Sequence, residues 1–156
     1  MKRAGSAAPE RRAKPVLILA EPPRAYLIRP PMVVDCSVLS AFLFEEPMRD
    51  EALRHLLGKS LHAPTLLDHE FANVAAKKQR QAWPGESIEM ALADYASLEI
   101  ALHRVDLAAQ VALAARYVLS AYDAAYLWLA AELKAPLATF DSKLGRAALQ
   151  HLGSLK

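Results

Sequence analysis

The sequence predicts an α/β protein built on a parallel sheet with helices over both faces. Three observations carry that prediction. Short apolar stretches near residues 32, 61, 103 and 137 have strand character, with β-branched residues in the first. Pairs of helical segments separate each from the next, the spacing of crossover units. The chain of 156 residues is 54% hydrophobic and 23% charged, enough for one domain with a sizeable core and too short for two. Such crossovers are right-handed.

Taken in order, Met32 to Val34 reads as the first strand and ends at Asp35-Cys36-Ser37. Val38 to Phe44 reads as a helix broken by Glu46-Pro47. Met48 to Leu57 is a second helix, with Ala52, Leu53, Leu56 and Leu57 on one face and Gly58 as its stop. Leu61 to Ala63 is the second strand. A long helix follows from Thr65 to about Ala82, stopped by Trp83-Pro84-Gly85, and Glu86 to Ile100 is another. His103 to Val105 is a weak third strand, and Asp106 leads a helix through Leu119. Tyr122 to Lys134, the strand Leu137 to Phe140 and a last helix Ser142 to Leu152 complete the chain.

Charge divides the sequence. Residues 1–31 are proline-rich and carry Lys2, Arg3, Arg11, Arg12, Lys14, Arg24 and Arg29 against Glu10 and Glu21. The remainder is mildly acidic, so its net charge does not advertise nucleic-acid binding. We expect residues 1–31 to be an extension, disordered or an extended basic arm, and residues 32–156 to be the folded domain. A natural start at Met32 is one form of that expectation. The apolar stretch Val16 to Ala20 is too short for a secretory signal. A single cysteine, Cys36, excludes a disulfide framework and a cysteine-based zinc site, and fits the cytoplasm. No apolar run approaches the roughly 18 residues that span a bilayer.

The chemistry lies in acids. Open parallel sheets bind ligands beyond the carboxyl ends of their strands. Asp35 follows the first strand and Asp141 the last; Glu70 stands in the second turn of the helix after the second strand, and Asp123 in the first turn of its own. All four are candidates for one rim. Acids at helix starts also serve as caps: Ser120-x-x-Asp123 and Thr65-x-x-Asp68 match a capping pattern, and Asp141 precedes a helix. For Asp68 the cap is the better reading. Glu70 has no capping duty, and four acids at one edge are an improbable by-product of capping alone. The five histidines show no HxxxH pair or serine partner and read as structural or solvated, and Cys36 as a buried inert thiol.

From Met32 onward the chain resembles the PIN-domain ribonucleases, and among them the VapC-type toxins of toxin–antitoxin pairs. VVDCSVLSAFLFEE resembles the family's opening strand with its first acid and a hydroxyl residue two positions on. HAPTLLDHEFANV resembles the segment with an acid and an asparagine three apart on a helix. YDAAYLWLAAELKAPLATFDSKL resembles the tyrosine-aspartate-alanine helix and the threonine-x-aspartate strand end. The resemblance implies a PIN-like three-layer fold whose central, mainly parallel sheet has four to five strands. It implies catalytic, metal-binding acids at Asp35, Glu70, Asp123 and Asp141, with Ser37, Asn73 and Thr139 in support. It further implies hydrolysis of RNA phosphodiesters with one or two Mg²⁺ or Mn²⁺ ions, a homodimer and a cognate antitoxin.

Those residue types suit that reaction. Hard divalent cations take oxygen ligands and can activate water while offsetting charge on the phosphate. Local positive charge for RNA is sought at Lys77, Lys78 and Arg80, and at Lys143 and Arg146, with solvated helix faces as the plain alternative. Trp83, Tyr122, Tyr126 and Trp128 can stack on bases, although Tyr126 and Trp128 suit a core or dimer surface better. A haloacid-dehalogenase phosphatase would need an aspartate where Ser37 stands, and a receiver domain would need paired acids early in the chain. The alternative from another class is a PIN-like RNA- or protein-binding regulatory module without significant nuclease activity.

Overall fold

The computed structural model describes residues 29–155. The predicted extension therefore lies outside the described residues, except for Arg29 to Pro31. Eleven elements follow: β1 (Pro31–Val34), α1 (Cys36–Leu43), α2 (Arg49–Leu56), β2 (Ser60–Pro64), α3 (Leu67–Arg80), α4 (Gly85–Ser97), β3 (Ile100–His103), α5 (Leu107–Tyr117), α6 (Ala121–Leu133), β4 (Leu137–Ala138) and α7 (Ser142–Gly153).

The four strands form one sheet in the order β3-β2-β1-β4, and every pairing is parallel. Val33 sits between His62 and Leu137, so β1 is a central strand. Val33 and Val34 are fully buried, as a strand covered on both faces requires. The first two crossovers run outward from β1 to β3, and the third returns past β1 to β4. With right-handed crossovers that reversal puts the two helix groups on opposite faces. Contacts agree: α1 packs with α2, α3 and α4, while α6 lies across β1, β2 and β4 and packs with α5 and α7. The strand order reverses at β1 and β4, and the crevice beyond their carboxyl ends is the expected place for a ligand.

Aromatic packing ties the first group together. Phe71 of α3 is almost fully buried, stacked on Tyr95 at 4.3 Å between ring centres and on Phe44 at 5.6 Å. Truncating it to alanine would cost about 3–5 kcal/mol, the range for a buried phenylalanine. In the second group α6 is apolar nearly all round, with Ala124, Ala125, Tyr126, Leu127, Leu129 and Ala130 buried. Lys134 ends it in the left-handed conformation, its N–H bonded back to Ala130 and Ala131.

Three differences from the sequence reading have a clear tertiary cause. The helix after Pro84 stops at Ser97, and β3 begins at Ile100, where the sequence places the helix end. Ile100 to His103 pairs along β2, and ladder hydrogen bonds outweigh helical propensity there. The last strand is only Leu137–Ala138, because Thr139 and Phe140 turn away to the site. Asp68 does not cap α3: the helix begins at Leu67, and the Asp68 carboxylate accepts a hydrogen bond from the Tyr95 hydroxyl at 2.7 Å.

Candidate active site

At the carboxyl edge of the sheet lies a cavity of about 1030 Å³. Asp35, Glu70, Asp123 and Asp141 all line it, as do Ser37 and Asn73. Thus the N-cap positions of α1 and α7 and the first turns of α3 and α6, from both faces of the sheet, each bring one of the acids expected there.

Asp35 is the innermost. It follows β1 directly and is buried, 7% exposed. Its backbone is extended and its carbonyl accepts from the N–H groups of Val38 and Leu39, so it is the N-cap residue of α1. Its side chain is released from capping and turned into the cavity. There Oδ2 accepts hydrogen bonds from the Ser37 hydroxyl at 2.7 Å and the Thr139 hydroxyl at 2.8 Å. Those two hydroxyls have further partners. Ser37 Oγ accepts from the N–H of Phe140, and Thr139 Oγ1 from the N–H of Asp141, both at 3.0 Å. The end of β4 is thereby clipped to the end of β1, and the buried carboxylate is satisfied by neutral donors.

Glu70 is half-buried on α3 and accepts a hydrogen bond from the Tyr126 hydroxyl of α6. Burial pushes its pKa up; the Tyr126 bond opposes that, and the nearby charges of Asp35 and Asp123 add to it. Burial and the bond to Glu70 also hold the Tyr126 phenol well above its usual range. Cys36, between these groups, is pushed up to about 12, mainly by burial, and is an inert thiol as expected.

The other two acids are held locally. Ser120 caps α6: its hydroxyl accepts from the N–H of Asp123 at 3.0 Å and donates to Asp123 Oδ2 at 2.7 Å. Asp141 caps α7, with Oδ1 accepting from the N–H groups of Lys143 and Leu144 at 2.8 and 2.7 Å. For these two, the capping reading and the cavity-lining reading both hold.

The donor chemistry of the cavity, hard oxygen throughout, fits a divalent cation. As oriented, however, no group of three or more His, Cys, Asp or Glu side chains among the described residues is placed to hold a metal ion. The acids share a cavity without converging on a point. Asp123 is turned to the Ser120 hydroxyl and Asp141 to the N–H groups of Lys143 and Leu144, and mutual repulsion favours that separation.

The basic residues divide. Lys77 is exposed and lines the cavity. Lys78 also lines it but is only 8% exposed, its Nζ bonded to Glu46 Oε1 at 2.7 Å and seated 3.8 Å from the Trp83 ring centre and 4.7 Å from that of Phe44. A buried ammonium needs such a partner, so Lys78 is committed to packing, a correction to its reading as a free RNA contact. Trp83 is engaged in the same cluster, against Phe44 as well as Lys78. Arg80, Lys143 and Arg146 are exposed and stand outside the cavity lining.

Two residues of the cavity surroundings have contacts that the sequence reading did not assign, although Tyr126 is fully buried, in keeping with its core reading. Tyr126 lies one turn after Asp123 on α6, a spacing that could have suggested a contact with the site. Glu46, a fifth carboxylate in the lining, sits at a helix break where no periodicity points to it. Two histidines read as scattered are in fact neighbours: the pairing of β2 with β3 brings His62 Nδ1 within 2.9 Å of His103 Nε2.

The crystal structure of PAE2754 from Pyrobaculum aerophilum is similar in fold, with a TM-score of 0.60 and 21% sequence identity over 81% of this chain and 95% of that one. No curated protein matches the sequence. The PIN domain family matches residues 32–149, most of the chain and every residue of the cavity described above. The chain belongs to the PIN domain family.

Proposed function

We propose that this protein is a metal-dependent endoribonuclease that hydrolyses RNA phosphodiesters. PIN domains are generally metal-dependent nucleases, and family membership points to nuclease-type function. The observation that carries the finer reading is the gathering of Asp35, Glu70, Asp123 and Asp141 around one cavity at the switch point of a parallel sheet.

Asp35, Glu70, Asp123 and Asp141 would hold one or two Mg²⁺ or Mn²⁺ ions, which supply an activated water and offset charge on the phosphate. The chain's own residues do the rest. Ser37 and Thr139 fix the Asp35 carboxylate, and Tyr126 fixes that of Glu70, so these two oxygen donors need no reorganisation when a ligand arrives. In this reading Asn73, one turn beyond Glu70, supports the acids, and the exposed Lys77, which lines the same cavity, contacts the ribose-phosphate chain.

A toxin role, with an antitoxin whose tail blocks the acidic cavity and a homodimer as the working unit, belongs to the same proposal. It rests on the resemblance to VapC-type proteins. Cleavage of RNA with Mg²⁺ or Mn²⁺ by the wild type, set beside Asp35→Asn and Asp123→Asn, tests the enzyme reading. Strong loss in both variants is expected. Equal cleavage by all three would overturn the assignment of these acids, whereas RNA binding with no cleavage by any would leave a regulatory binding module instead.

A further inference from the structure

The charges of the cavity set a problem for a polyanionic substrate. Five carboxylates line it (Asp35, Glu46, Glu70, Asp123 and Asp141) against Lys77 and Lys78; Glu46 and Lys78 offset each other, which leaves four against Lys77. Phosphate contacts to lysine and arginine normally dominate affinity for nucleic acid, and this wall offers few. Beyond Lys77 and the charge that bound cations would bring, binding here has contacts to the bases to draw on.

The same cavity exposes two large aromatic side chains, Tyr122 at 64% and Phe140 at 37%. Each immediately precedes one of the outer acids, Asp123 and Asp141. Neither ring pairs with another aromatic side chain among the described residues, whereas Phe44, Phe71, Trp83, Tyr95 and Tyr117 all do. Their backbones are well anchored. Tyr122 lies in the first turn of α6, capped by Ser120, and the Phe140 N–H donates to Ser37. Two exposed aromatic side chains that line the cavity are thus held beside the acids on anchored backbone.

We infer that Tyr122 and Phe140 are substrate-binding residues on which bases flanking the bound phosphate stack. The inference rests on the ribonuclease reading and adds what the acids cannot supply, which is affinity for the bases. A base must leave its own stack to use such a surface, so the platform selects unpaired nucleotides. It tolerates different sequences, because every base has a π-face.

The probe is a short single-stranded RNA of mixed sequence carrying 2-aminopurine in place of adenine, whose fluorescence falls on stacking. Titrated with the full chain in Mn²⁺, it should be quenched by the wild type and by Tyr122→Phe. Tyr122→Leu, which keeps apolar bulk without a π-face, and Phe140→Leu should each bind about 5- to 150-fold more weakly, the range for loss of one stacked base. Quenching should fall in both. Both side chains are exposed, so the variants should keep the wild-type thermal melt. Absence of quenching by the wild type, or equal affinity and quenching in the Tyr122→Leu/Phe140→Leu double variant, would overturn the inference. The underlying reading fails separately. Quenching without cleavage removes the nuclease and leaves the platform, whereas undiminished cleavage by the double variant removes the platform and leaves the nuclease.

Discussion

The inner and outer halves of the acidic cavity are built differently. Asp35 and Glu70 each have a partner far away in sequence: Thr139 lies 104 residues from Asp35, which Ser37 also holds locally, and Tyr126 lies 56 from Glu70. Asp123 and Asp141 are held by groups within three residues, a serine hydroxyl in one case and two helix N–H groups in the other. Long-range bonds exist only in the folded state, and here they hold the two carboxylates before any ligand is bound. Local capping bonds can be exchanged for a cation by a side-chain rotation. The comparison teaches that half of the site is preorganised and half is free to adapt. It also accounts for four acids lining one cavity while no three of them form a ready metal cluster.

Breaking the inner half should have the largest effect. Asp35→Asn or Glu70→Gln should lower cleavage at least ~100-fold, since even residues that only support a metal ligand are worth about 10- to 100-fold. Single-turnover cleavage assays with Mn²⁺ would measure it. Removing the inner support comes next. Thr139→Val keeps the shape but leaves Asp35 with one donor and the Asp141 N–H without its acceptor, so activity should fall about tenfold and stability by about 1–3 kcal/mol. A denaturant melt beside the activity assay separates the two, and an unchanged melt would weaken the claim that this hydroxyl clips β4 to β1.

Metal dependence sharpens the comparison further. A cation that binds only the folded protein raises its melting temperature, and saturation at 100 times the dissociation constant corresponds to about 2.7 kcal/mol. Wild type should respond to Mn²⁺, and Asp35→Asn should not. A melt unmoved by millimolar Mn²⁺ in the wild type would count against the site.

The smallest effect concerns charge at Glu70. Its folded-state pKa lies above the unfolded value because of burial and the neighbouring Asp35 and Asp123. Folding therefore penalises its charged form, and the contribution to stability is lost as pH rises from the unfolded value through the folded one. Glu70→Gln removes that penalty and keeps an acceptor for Tyr126. In the absence of metal it should melt slightly above the wild type at pH 7, with the gap closing below the ordinary glutamate range. With Mn²⁺ the order should reverse. An equal gap at acid and neutral pH would show that charge is not its source.

Much of this was legible before any coordinates. The alternation of apolar stretches with helical pairs gave the parallel sheet, and the position of Asp35 and Asp141 just after the first and last strands gave the edge on which they meet. What failed, failed for tertiary reasons. Ile100 looked helical because its own segment is amphipathic, and pairing with β2 decided otherwise. Asp68 carried a capping pattern, but Tyr95 from α4 claimed it. Lys78 looked like a solvated cation until the fold surrounded it with Glu46, Phe44 and Trp83.

By itself the sequence determined the periodicities, the helix caps at Ser120 and Asp141, and the chemical character of the site as oxygen-rich and acidic. Those are local properties, fixed by side chains within a turn of one another. Only the tertiary structure decided which acids are preorganised, which lysine is free and which aromatic rings remain open. Such outcomes depend on burial and on partners tens of residues away, and a chain has neither until it folds.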